Sequence, residues 1–252
     1  MAQEHFGLLV KRDIAVAPDG LGKPSLSAKI ESIQQFALFA GVSAADCAAI
    51  TSVGREKRLY RRQNLFSVGD TVDQVFLVLS GSVKMTQTSV GGSEVMLRVC
   101  GVGDLVGTFG LWPDDKHSSA AEIAQAGFAI VWDSATFAKV LDHFVRLRHN
   151  TFRVLEERLQ EMEQRFRELS TDDVPSRLSS ELIRLIKRFG SGVKDNGEIH
   201  LSQTDLAQLT GTTVPTVSRQ LGRWEKLGIV SVRREALQIH DLAALARFSQ
   251  GE

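Results

Sequence analysis

Between residues 152 and 169 the apolar side chains Phe152, Leu155, Leu159, Met162, Phe166 and Leu169 follow one another at steps of 3, 4, 3, 4 and 3. Only a helix turns that spacing into a continuous stripe, and a repeat averaging 3.5 is the seam along which helices pair. The surrounding residues (Glu156, Glu157, Arg158, Glu161, Glu163, Arg165, Arg167, Glu168) carry dense charge of both signs, as a water-facing surface requires. A helix over about 143–170 is roughly 42 Å long at 1.5 Å per residue, more than the width of a small domain. It either packs along its own neighbouring domain or pairs with a second copy, and the uninterrupted steps favour a homodimer. Arg148 stands where the seam would otherwise continue, so pairing should weaken toward that end.

This helix divides the chain. Upstream, nine glycines (Gly69, Gly81, Gly91, Gly92, Gly101, Gly103, Gly107, Gly110 and Gly127) punctuate short apolar or alternating runs such as Val75–Leu79, Val95–Val99 and Phe128–Trp132. Short strands at that interval predict an antiparallel sandwich or barrel over about 55–133. Ahead of it, Ile30, Ile33, Phe36 and Ala37 recur at helical spacing, and Ser43 is placed to cap a second short helix through Ile50. Residues 1–28, with turn signals at Ala17–Gly20 and Gly22–Ser25, read as an extension. Thr171-Asp172-Asp173-Val174-Pro175 ends the long helix, because the residue before a proline avoids the α region. The expected class is α+β, with segments 1–28, 29–142, 143–170 and 171–252.

Composition excludes several functions. In 252 residues, 30 basic side chains balance 30 acidic ones, so any basic surface must be local. No apolar run exceeds the five residues of Val75–Leu79, far short of the roughly 20 a membrane span needs. The first residues lack a secretory pattern. The reading is cytoplasmic, with no membrane partner. Cys47 and Cys100 are too few for a zinc site or a disulfide framework, so no metal site is expected. No phosphate loop, Ser/His/Asp arrangement or His/Glu metal spacing suggests an enzyme.

The C-terminal segment carries the functional signal. Ser202-Gln203-Thr204-Asp205 reads as a capping-box start to a helix that stops at Gly211. A second helix follows, with Thr213 as N-cap, Pro215 in its first turn and Gly228 at its end. Val217, Leu221 and Trp224 form its buried face; Ser218, Arg219, Gly222, Arg223 and Lys226 project elsewhere. Ile229–Val232, Arg233–Ala236 and Leu237–His240 read as strand, turn and strand, which makes a winged helix-turn-helix. Residues 215–234 hold Arg219, Arg223, Lys226, Arg233 and Arg234 against Glu225 as the one acid. That local excess fits phosphate binding, the alternative being a solvated basic face. Gly222 sharpens the choice: a mid-helix glycine costs about 1 kcal/mol relative to Ala, and close approach of another backbone is one compensation. Ser218 and Arg219 are the candidate base readers. Thr213, Thr216, Arg223, Lys226, Arg233 and Arg234 are the candidate phosphate contacts.

Gly101-Val102-Gly103-Asp104-Leu105-Val106-Gly107 and Gly211-Thr212-Thr213-Val214-Pro215-Thr216-Val217-Ser218-Arg219-Gln220-Leu221-Gly222-Arg223-Trp224 resemble the Crp/Fnr superfamily of bacterial transcription regulators, the second stretch its Fnr branch in particular. The resemblance spans about residues 30–245. It implies a cyclic-nucleotide-binding-type β-roll, a dimerising helix, and a winged helix that reads a palindromic operator on double-stranded DNA, with RNA polymerase as a partner. The effector pocket it implies falls on Gly107, Thr108, Ser118, Ser119, Met162 and Glu163.

The chain departs from the family pattern at that pocket. Members that bind cyclic AMP carry a Glu at the position of Thr108 and an Arg-Ser or Arg-Thr pair where Ser118-Ser119 stand, and usually Thr-Ser at Met162-Glu163. The missing guanidinium is the fork that would neutralise a cyclic phosphate. Cyclic AMP is therefore not the expected effector. The iron–sulfur branch needs N-terminal cysteines, and residues 1–46 contain none. A haem-based sensor, through His149 or His143, or a redox-based one is the alternative within the same fold, with Cys47 and Cys100 read as buried small hydrophobes rather than redox sensors. Pro215 replaces a Glu that relatives use to accept from cytosine. A ligand-binding module that docks protein instead of DNA is the remaining alternative function.

Overall fold

The computed structural model describes residues 26–107, 115–189 and 198–249. Two short helices, α1 (Leu26–Gln34) and α2 (Ala44–Ser52), flank a 3-10 turn at Ala37–Phe39. The Ser43 side chain accepts from the Asp46 N–H and caps α2. Helix α1 begins at Leu26, inside the segment 1–28 read as an extension.

An antiparallel sheet follows: β1 (Arg55–Leu59), β2 (Asn64–Phe66), β3 (Gln74–Thr88), β4 (Glu94–Cys100), β5 (Leu105–Val106) and β6 (Ala120–Asp133). The strand order is β1-β6-β3-β4, with β2 also on β6 and β5 also on β3. The long strands β3 and β6 run side by side and bend where their register shifts between Val78 and Val83. Two glycines make the bend possible. A Cβ on Gly127 would lie 2.0 Å from the Ser80 carbonyl oxygen, and Gly81, at φ +81°, would place one 2.5 Å from the Gln125 oxygen. One side of the sheet encloses Leu59, Phe76, Val83, Ile123 and Val131, and the other packs on α1, α2 and the 3-10 turn through Leu38, Phe39, Ile50 and Trp132. The buried Trp132 Nε1–H is satisfied by the Ile50 carbonyl at 2.9 Å.

The strand-rich domain then closes with α3 (Ser134–His143), which the sequence reading missed; the long helix is α4 (Val145–Thr171), separated from α3 by Phe144. Phe144 keeps the two helices from fusing with φ −100° and ψ 84°. Asn150 anchors α4 by donating to the carbonyls of Leu38 and Ala40 at 2.8 and 2.9 Å.

The C-terminal unit comprises α5 (Val174–Phe189), β7 (Glu198–Ile199), α6 (Gln203–Thr210), α7 (Val214–Lys226), β8 (Val230–Val232), β9 (Leu237–Ile239) and α8 (Leu242–Phe248). Strand β7 and helix α8 lie outside the strand, turn and strand expected over Ile229–His240. Strand β7 adds a third strand beside β9, and α8 is capped by Asp241 and packs Phe248 against Trp224. The core of this unit includes Met96 and Val99 of β4, so the winged helix is docked on the sheet domain. Around that apolar contact, Lys84 pairs with Asp205 at 2.6 Å, Arg165 with Glu181 at 2.7 Å, Arg188 with Glu161 at 2.8 Å and Arg61 with Glu235 at 2.6 Å.

Candidate DNA-reading surface and effector pocket

Helix α6 begins with a reciprocal capping box. Ser202 Oγ accepts from the Asp205 N–H, and the Asp205 carboxylate accepts from the Ser202 N–H at 2.8 Å. The helix ends at Gly211, whose φ of +60° suits a left-handed C-cap. Two residues on, Thr213 is the N-cap of α7, and Pro215 lies in the first turn, where no intrahelical N–H is lost. The hydroxyls of Thr213 and Thr216 lie 2.9 Å apart, and Arg219 Nη2 reaches Thr216 Oγ1 at 3.4 Å.

Val217, Gln220, Leu221 and Trp224 are the buried residues of α7. The opposite face presents Pro215, Ser218, Arg219, Arg223 and Lys226 to solvent, with Gly222 partly exposed among them. Glu225, the one acid of the stretch, is used elsewhere: its carboxylate accepts from the Val232 N–H at 2.9 Å and ties α7 to the wing. Arg219, Arg223 and Lys226 have no ion-pair partner among the described residues. In the wing turn, Arg233 approaches Glu198 at 3.5 Å, while Arg234 is exposed beside Glu235. The fold thus gathers Thr213, Thr216, Ser218, Arg219, Arg223 and Lys226 on one helix, with Arg233 and Arg234 on the adjoining hairpin. Among the described residues nothing beyond its own helix approaches Gly222: a Cβ there would find no atom within 4 Å. Among the described residues there is no compensating contact.

The seam residues Phe152, Leu159, Met162, Phe166 and Leu169 are exposed along α4. Leu155 differs, being half-buried against the core shared by the sheet and α2. One face of α4 thus packs on its own domain through Leu155.

The pocket residues are only partly brought together. Gly107 has φ +108°, and a Cβ there would lie 3.1 Å from the Gln74 oxygen and 3.8 Å from His117. Ser118 is exposed and its carbonyl accepts from Gln87; Ser119 is half-buried; Thr108 lies outside the described residues. Met162 and Glu163 are exposed on α4. The α4 residue that reaches this region is instead Arg158, which donates to the Leu105 carbonyl at 2.8 Å and is joined there by Arg98 at 3.3 Å. Burial, then the neighbouring Arg98, pushes the Arg158 guanidinium down to about 10, and Arg98 keeps one buried Nη1 without a hydrogen bond. The sequence signal for these residues was weak: an arginine within the apolar run of β4, and one more charge beside the seam. His143 and His149 are exposed, and the described residues contain no cluster of three or more His, Cys, Asp or Glu able to hold a metal. Cys47 and Cys100 are buried, and burial pushes both thiols up. No helix among the described residues is long and apolar enough to cross a membrane.

Two family models match the chain in this order: a cyclic nucleotide-binding domain over residues 56–144 and a Crp-like helix-turn-helix domain over 176–248. With this architecture, the chain belongs to the Crp/Fnr superfamily of transcription regulators. Among similar proteins, a "CRP-like cAMP-activated global transcriptional regulator" of Mycobacterium tuberculosis is 27% identical over 222 residues, covering 86% of this chain and 98% of that protein. An "Anaerobic regulatory protein" of Haemophilus influenzae is 28% identical over 195 residues, 77% of this chain and 76% of that one. The solved structure of FixK2 from Bradyrhizobium japonicum shares the fold, with a TM-score of 0.68 at 18% identity over 78% of this chain and 97% of that one.

Proposed function

We propose that this protein is a homodimeric regulator that reads a palindromic duplex through α7, under an effector other than cyclic AMP or constitutively. In this reading 29–142 serves as sensor, 143–170 pairs the subunits, and 171–252 binds DNA. The observation that carries the proposal is the outward face of α7, where Ser218, Arg219, Arg223 and Lys226 stand exposed while the single nearby acid is engaged with the wing. A guanidinium in that position suits the O6 and N7 acceptors of guanine, a contact worth roughly 1–3 kcal/mol of discrimination. Cations further along the helix and on the wing neutralise phosphates. Two such helices related by a two-fold axis would dock about 34 Å apart, one turn of the duplex.

Against cyclic AMP stands the local chemistry. Ser118-Ser119 supply no cation where a cyclic phosphate would need one, and Met162 and Glu163 offer an adenine neither the hydroxyl nor the charge pattern of Thr-Ser. The relative described as cAMP-activated therefore does not transfer its ligand to this chain. Selection of binding sites from a random duplex pool by the purified protein tests the reading. Recovery of a two-fold symmetric sequence with half-sites one turn apart is expected; recovery of unselected sequence would refute it.

A further inference from the structure

We infer that Gly222 is the point at which the DNA comes closest to the protein, and that its missing side chain sets how deeply α7 enters the groove; the inference rests on the DNA-reading function proposed above. A glycine inside a 13-residue helix needs an explanation, because it weakens the helix and Ala in its place would strengthen it. Nothing among the described residues supplies one. A Cβ built on Gly222 meets no described atom within 4 Å, whereas one on Gly211, in the turn between α6 and α7, meets Leu169 at 2.8 Å. Nor is Gly222 a cap or a left-handed residue: α7 runs through it to Lys226, and the positive φ belongs to Gly228.

The position of the gap identifies what fills it. Gly222 lies three residues after Arg219 and four before Lys226, so all three share one helix face, the face opposite Val217, Leu221 and Trp224. It is thus a side-chain-free notch between the candidate base reader and a candidate phosphate cation. A methyl group there would hold the helix off the groove floor and lengthen the Arg219 contact and the phosphate contacts together. No contact among the described residues would change.

The experiment measures melting temperature and duplex affinity for Gly222→Ala, Gly222→Ser and Gly222→Leu, using a duplex selected by the wild-type protein. Gly222→Ala should melt about 2–4 °C higher, as about 1 kcal/mol of helix propensity implies for a chain of this size. Its affinity should nevertheless fall at least about tenfold, with a further loss for Leu and a flatter salt dependence as phosphate contacts are lost. Higher stability combined with weaker binding is the diagnostic pair. Wild-type affinity in all three variants would overturn the inference while leaving DNA reading intact. Failure of the wild-type protein itself to bind any duplex would overturn both.

Discussion

Substituting Leu159 and Phe166 with Glu tests whether α4 is the pairing element. Phe152, Leu159, Met162 and Phe166 are 59, 51, 62 and 73% exposed in the single chain, so each has half or more of its surface left to bury. Full burial of such a side chain is worth about 1.5–3 kcal/mol, which makes the portion still available about 1–2 kcal/mol each. Two substitutions in each of two subunits remove about 4–8 kcal/mol on that basis, and carboxylates facing each other across the axis add to the loss. At 1.4 kcal/mol per tenfold, the dimer dissociation constant should rise by about three orders of magnitude or more. Leu155 is left intact because it packs on its own domain, where a charge would damage the fold instead. Light scattering at micromolar protein should report a monomer with an unchanged melting profile at low concentration. A double variant that remained dimeric would place the interface away from α4 and refute the reasoning.

Two further outcomes follow from the sensor domain. Cyclic AMP at millimolar concentration should change neither melting temperature nor duplex affinity, whereas a ligand present at 100 times its dissociation constant would add about 2.7 kcal/mol and be seen readily; a clear thermal shift would restore cyclic AMP as effector. His117, stacked on Phe66 and buried, is driven below the ordinary imidazole range by burial, against the opposing pull of Asp70, Asp115 and Asp73. A neutral imidazole in the fold means that stability is complete above about pH 6.5 and declines as pH falls through that value, since the unfolded chain takes up the proton first. His117→Gln should flatten this part of the pH–stability curve, and parallel curves for both proteins would contradict the assignment.

The parts of the molecule that were legible in sequence are those governed by local rules. Ser202, Asp205, Gly211, Thr213 and Pro215 mark the ends of α6 and α7 because caps and turns depend on neighbours a few residues away. Helix α3 was lost because Ser134–His143 follows β6 directly, without a glycine or proline to separate them. Strand β7, at two residues, is too short to show alternation, and exists only because β9 offers an edge. Least legible were the contacts that join the domains. Lys84 and Asp205 are 121 residues apart, and Asp205 had already been assigned a complete local role as a capping residue. Arg98 and Arg158 likewise meet on one carbonyl from a strand and a helix, a convergence that no spacing along the chain encodes.

The central claim is that α7 reads base sequence, and the side chain that tests it most directly is Arg219, exposed and without an ion-pair partner among the described residues. Site selection from one random duplex pool should be run with the wild type, Arg219→Ala and Lys226→Ala. The account predicts that Arg219→Ala loses preference at one guanine in each half-site, a change of roughly 1–3 kcal/mol in discrimination. Lys226→Ala should keep the full preference while binding every sequence more weakly, with a salt slope reduced by about 1 per subunit. An Arg219→Ala protein that selected the wild-type sequence with undiminished preference would contradict the account.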